Sequence, residues 1–232
     1  MLRLHTIANC YRPGKIQHGF AREGLVRFGS SYILRSPPKT APRESPTPLI
    51  FVSAKSWDVD SGRGMDLISS MLAETGFTCL QTDLGLPDPQ TRSNSTSMMN
   101  WFEGELRSAV RLSMIPFPPI IFGRSAGCLI AQTYISSNPA TGLVLLSPPA
   151  NNTELGSVQA HDNSPILPTP LGEFDFEPYF PIMVMATSER MKVLKGLNRL
   201  AKNPEVDKFT VNTLEGQQAY SDIQNWLDKL GV

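Results

Sequence analysis

Gly123-Arg124-Ser125-Ala126-Gly127 places one serine between two glycines, directly after the apolar run Ile120-Ile121-Phe122. In this G-x-S-x-G pattern a sharp strand-to-helix turn lifts the hydroxyl above the end of a sheet. The glycines follow from geometry, because strand and helix pack so closely there that side chains at the flanking positions would collide. The same turn opens a helix near Ala126, so the Ala126 N–H points to where the oxyanion of an attacked acyl carbonyl would form. Ser125 is therefore a candidate nucleophile and Ala126 a candidate oxyanion donor. A hydroxyl at its ordinary pKa also needs a partner to take its proton.

The elements that must position this turn are legible as alternating apolar runs and helical patterns. Ser31–Arg35 reads as a strand paired in a hairpin with 25–28 around Gly29-Ser30. Residues 36–48 carry five prolines and read as an extended connector that cannot continue a sheet. Buried strands are expected at 49–54, 77–82, 119–122, 143–146, 182–186 and 209–213. Helices are expected at 65–75, 96–112, 126–137, 191–201 and 221–230. A Pro- and Asn-rich excursion spans 147–178. Regular alternation of this kind predicts an α/β fold with a mostly parallel central sheet and helices on both faces.

With the serine motif and this order of parts on the page, the chain from about Gly24 to Val232 resembles the α/β-hydrolase fold family. The resemblance makes 147–178 a short lid-like insertion and implies serine ester or acyl hydrolysis. In that family an acid and then a histidine follow the nucleophile along the chain. Glu189, just after the strand that follows the insertion, matches the acid's place. It also reads as a solvated carboxylate at the start of a helix capped by Ser188, and both readings stay open. Asp175 and Glu177 are weaker alternatives.

The histidine is where the sequence departs from the pattern. The loop before the last helix reads Leu214-Glu215-Gly216-Gln217-Gln218-Ala219-Tyr220, so Gln217 or Gln218 fills the base slot. A carboxamide holds a hydrogen bond but takes no proton near neutral pH. Loss of the histidine from a serine triad costs on the order of a million-fold in turnover. The alternative base is His161 in the insertion, with a surface histidine as the plain reading. Lys55, after the strand ending at Ala54, would need a strongly depressed pKa to serve. The family's His-Gly stretch that supplies a second oxyanion donor is replaced by Lys55-Ser56-Trp57-Asp58, which leaves the Lys55 or Ser56 N–H as candidate donor.

Composition bounds the rest. A chain of 232 residues suits one domain, here 23–232. Residues 1–22 hold Arg3, Arg12, Lys15 and Arg22 and no acid, the pattern of a mitochondrial transit peptide or a disordered tail. The remainder has 17 basic against 21 acidic residues and offers no basic groove for nucleic acid. No apolar run is long enough to span a membrane. Cys10, Cys79 and Cys128 are too dispersed for a disulfide framework or a metal cluster, and no metal or organic cofactor is implied. Two functional readings follow: a serine esterase, lipase or thioesterase acting on a small acyl or ester substrate, or a non-catalytic degenerate hydrolase that binds a protein partner, in mitochondria or alternatively in the cytoplasm.

Overall fold

The apolar runs too short for helices pair into one sheet, because a strand buried on both faces must place its backbone polar groups against neighbours. The computed structural model describes residues 29–156, 158 and 165–232. Its strands are β1 (Ser31–Arg35), β2 (Ser45–Ser53), β3 (Phe77–Asp83), β4 (Ile120–Arg124), β5 (Gly142–Leu146), β6 (Ile182–Thr187) and β7 (Asp207–Val211). They form a seven-stranded sheet in the order β1-β3-β2-β4-β5-β6-β7. Only β1 is antiparallel to its neighbour; every other pair is parallel. The proposed hairpin partner at 25–28 and the leader at 1–22 lie outside the described residues.

Strand alternation sorts the core into two layers. Leu49, Phe51, Ile120, Phe122, Val144 and Met183 face one side. There they meet α1 (Met65–Glu74) and α8 (Gln217–Lys229), which contribute Leu72, Ile223 and Trp226. Phe51 and Phe122, in register across β2 and β4, stack with centroids 4.4 Å apart. Ile50, Val52, Ile121, Leu143 and Val184 face the other side. That side is covered by α3 (Ser95–Leu112), α4 (Gly127–Ile135) and α6 (Ser188–Leu197). Three one-turn helices complete the set: α2 (Pro89–Arg92), α5 (Asn152–Leu155) within the 147–178 excursion, and α7 (Arg199–Lys202).

Four boundaries differ from the sequence expectation, three for tertiary reasons and one for a local cap. β2 begins at Ser45, inside the proline-rich connector, with the Ser45 N–H donating to the Gly76 carbonyl at 2.9 Å. Up to Leu49 it has β3 on one side and no β4 pairing on the other, and a register shift there accommodates Pro46 and Pro48. β7 begins at Asp207 rather than Phe209, because the Asp207 carboxylate accepts from Trp226 Nε1 at 2.9 Å, a partner that periodicity cannot reveal. The helix expected at 191–201 breaks at Asn198, whose side chain caps Leu200 and Ala201 N–H. α8 starts four residues early, at Gln217 instead of Ser221, and so brings buried Ala219 and Tyr220 onto its apolar face.

β4 and α4 approach closely at Gly123. A Cβ there would lie 2.9 Å from both the Cys128 Cα and the Gly127 carbonyl oxygen, and backbone atoms cannot give way. Gly123→Ala is expected to destabilise the protein by about 1–3 kcal/mol, read from the urea midpoint. Gly104, inside α3 with nothing within 4 Å of an added Cβ, is the contrast: Gly104→Ala should stabilise by roughly 0.5–1 kcal/mol.

Candidate active site

Ser125 sits in the turn between β4 and α4 with φ 51°, in the left-handed region. A non-glycine residue held there costs on the order of 1 kcal/mol or more. The turn is fixed by three backbone bonds: Ser125 N–H to Leu146 O at 3.1 Å, Cys128 N–H to Ser125 O at 3.1 Å, and Leu129 N–H to Ala126 O at 2.9 Å. Behind it, an added Cβ on Gly127 would come within 3.2 Å of the Val52 carbonyl and 3.3 Å of Ser61 Cβ, so both flanking glycines are held by close packing. Ser125 itself is half-buried, and Ala126 is fully buried.

The Ala126 N–H is engaged. It donates to Asp58 Oδ2 at 2.9 Å. Asp58 caps the short 3₁₀ turn Val59–Gly62, with Oδ1 accepting from Asp60 N–H at 3.1 Å. Its backbone is tied to Ala54 O, and its carbonyl accepts from Ser61 N–H and from Ser61 Oγ–H at 2.6 Å. Trp57 anchors the same loop, buried against Phe102 with its Nε1–H donating to Ile166 O at 2.9 Å. The Cys128 thiol is pushed up by burial first and by the Asp58 charge second, which leaves it a protonated apolar filler under the turn. Sequence reasoning passed over Asp58. The available signal was a carboxylate in the loop after β2, the loop that must face the start of α4.

Arg124, the residue before the serine, is buried and tied to two loops. Its Nη1–H donates to Arg63 O and its Nη2–H to Glu215 Oε1, each at 2.7 Å. Arg63 Nε lies 3.0 Å from the same Glu215 oxygen, while Thr213 Oγ–H donates to the other at 2.7 Å. Burial alone would raise the Glu215 pKa. The hydrogen bonds from Thr213 and Arg124, with the Arg124 charge, outweigh it and hold the carboxyl below its ordinary value.

The remaining sequence candidates are scattered around this centre. The Lys55 N–H donates to Asp83 Oδ1 at 2.9 Å, and Lys55 Nζ is 3.4 Å from Asp83 Oδ2. Its amide is thus spoken for, and its side-chain nitrogen is paired with the same carboxylate. Glu189 lies exposed in the first turn of α6, where Thr187, not Ser188, is the residue preceding the helix. Its neighbour Arg190 instead makes a bidentate pair with Glu154 of α5, at 2.7 Å for each bond, fastening the excursion to α6. Gln217 and Gln218 are exposed on the first turn of α8. Asp175 and Glu177 are exposed, and His161 lies outside the described residues. A cavity of about 570 Å³ between β1, Leu84 and α3 is lined by Tyr32, Glu105, Ala109 and Leu112, away from the turn.

No protein-family model and no curated protein matches the sequence. Solved structures do. The esterase RhEst1 from Rhodococcus sp. is 12% identical and superposes with a TM-score of 0.59 over 89% of this chain and 98% of its own. A soluble variant of the monoglyceride lipase of Saccharomyces cerevisiae is 12% identical, with a TM-score of 0.56 over 86% of this chain and 91% of the lipase. XC6422 from Xanthomonas campestris, described as a serine hydrolase without a lid, is 13% identical, with a TM-score of 0.53 over 87% and 89%. At such identities the likeness is one of fold, and the chain has the α/β-hydrolase fold. Among the described residues no helix is long and apolar enough to cross a membrane, and no group of three His, Cys, Asp or Glu side chains could hold a metal.

Glu154 also titrates low, held down first by the Arg190 hydrogen bonds against the opposing effect of burial. Carboxylates held charged in the fold stabilise it above their ordinary value of 4.5, and that contribution is lost as pH falls through the lower native value. The urea midpoint should therefore drop as pH falls below about 4.5. Glu154→Gln should be less stable at neutral pH and show a shallower acid drop.

Proposed function

We propose that the chain is a serine acyl hydrolase in class, of esterase, lipase or thioesterase type, with Ser125 as nucleophile, Ala126 N–H as oxyanion donor and Glu189 as the acid of the site. One observation carries this: the strained backbone of Ser125, φ 51° at the head of α4. Glycine or asparagine would hold that turn at lower cost, so a serine there favours use of its hydroxyl. The half-buried position of Ser125 and the esterase and lipase neighbours of the same fold agree with it. Small acyl or ester compounds are the substrate class.

The weak element is the base. The glutamines that open α8 cannot accept the proton, which leaves His161 as the favoured imidazole. Turnover is accordingly placed at no more than about 10³ to 10⁴ above water unless His161 reaches Ser125. A second reading, a non-catalytic member of the fold serving as a binding or scaffold protein, is favoured by the Asp58 carboxylate on the Ala126 amide. For location, the basic, acid-free N-terminus supports mitochondria.

A fluorophosphonate probe with adduct mapping by mass spectrometry separates the two. The hydrolase reading expects slow labelling at Ser125 that vanishes in Ser125→Ala. His161→Gln should slow it by about tenfold or more if the imidazole is the base. An unlabelled, fully folded protein would leave the scaffold reading standing.

A further inference from the structure

The amide that Ser125 chemistry needs is held by a carboxylate of the chain itself. Resting on the hydrolase reading, we propose that Asp58 is an autoinhibitory plug on the oxyanion site and that Glu215 is the latch that keeps the plug's loop in place.

The plug has the charge and shape of the group it displaces. Asp58 Oδ2 stands 2.9 Å from Ala126 N, the spacing an oxyanion would take. One N–H cannot serve two anions, so an incoming acyl group finds this donor occupied. Loss of one oxyanion donor costs about 10²- to 10³-fold in turnover. The second carboxylate oxygen and the backbone of Asp58 are tied within residues 54–61, so the side chain is held in place and does not drift at the surface.

The latch sits at the loop's far end. A single oxygen, Glu215 Oε1, joins Arg63 of the plug loop at 3.0 Å to Arg124 of the serine turn at 2.7 Å. The Arg63 carbonyl closes the ring through Arg124 Nη1. Without the Glu215 charge, buried Arg124 is left bonded to the Arg63 carbonyl and the two arginines repel across the gap. Glu215 lies between β7 and α8, in the loop where the resembled family carries its imidazole. The segment that elsewhere supplies a base here fastens the lock.

Two measurements test this on the full chain: the rate of fluorophosphonate labelling at Ser125 and the hydrogen exchange of the Ala126 amide. Asp58→Ser keeps an N-cap oxygen for Asp60 but is too short to reach Ala126. It should raise labelling about 10- to 100-fold and speed Ala126 exchange. Glu215→Gln should move both in the same direction by a smaller factor, a gain in reactivity that a merely structural role would not produce. Asp58→Asn, which keeps the shape and removes the charge, gives the same direction if the serine variant fails to fold. Equal labelling of wild type and the Asp58 variants would overturn the plug and leave the hydrolase reading intact. Faster Ala126 exchange in both variants with no labelling in any would uphold plug and latch as contacts and sink the hydrolase reading. Unchanged exchange in Glu215→Gln would remove the latch.

Discussion

Everything at the site depends on how closely β4 and α4 approach. With no Cβ allowed at Gly123, and little room for one at Gly127, the chain between them must turn sharply from strand into helix. Ser125 takes up the strain at φ 51°. The position is stiff because the strands on both sides of β4 are buried and paired, so relaxing the turn would require breaking the Ser125 N–H to Leu146 O bond or moving Phe122 off Phe51. A local strain of about 1–3 kcal/mol is sustained by a core many times larger.

The stiff turn sets the orientation of the first amides of α4, and those amides attract negative charge whatever its source. In this protein the source is internal. The loop after β2 is short, pinned by Trp57 at its middle and by Arg63 at its end, and it carries Asp58 to the Ala126 N–H. Arg124 then matters more than its place as a variable letter in the motif suggests. It is a buried cation next to Ser125, and its carboxylate partner, Glu215, comes from the last loop of the sheet. Three segments distant in sequence, 54–64, 123–127 and 213–216, thus form one electrostatic unit at the C-terminal ends of the strands.

Much of the framework was legible from pattern alone, since β2 to β6 are apolar runs and α1 and α3 carry helical periodicity. The turn was legible because its glycines, serine and flanking elements must occur in that order. What pattern missed was set by partners remote in sequence, apart from one local cap at Asn198. Asp207 enters β7 because Trp226 donates to it, β2 runs through two prolines because its outer side is unpaired there, and Asn198 splits a helix by capping the next one. Asp58 and Glu215 escaped for the same reason. A carboxylate's partner depends on which loops the topology brings together, and neither residue belongs to a spacing motif. The leader and the 25–28 hairpin strand fall outside the described residues and stay as expectations from composition.

The energetics of the occupied amide set the kind of inhibition the proposed plug would exert. A hydrogen bond to a charged acceptor contributes about 1.5–3 kcal/mol net, which a neutral ester carbonyl, worth about 0.5–1.5 kcal/mol, does not recover on displacing Asp58. A full oxyanion draws about 2.7–4 kcal/mol from one such donor. The plug therefore opposes ground-state binding and yields only as negative charge develops on the substrate, which leaves a net gain of roughly 1 kcal/mol from the donor at the transition state. Since 1.4 kcal/mol corresponds to a factor of ten, the plugged amide retains about tenfold or less of its potential 10²- to 10³-fold effect. On the proposed hydrolase reading, such a site should react with strongly activated electrophiles long before it turns over ordinary esters.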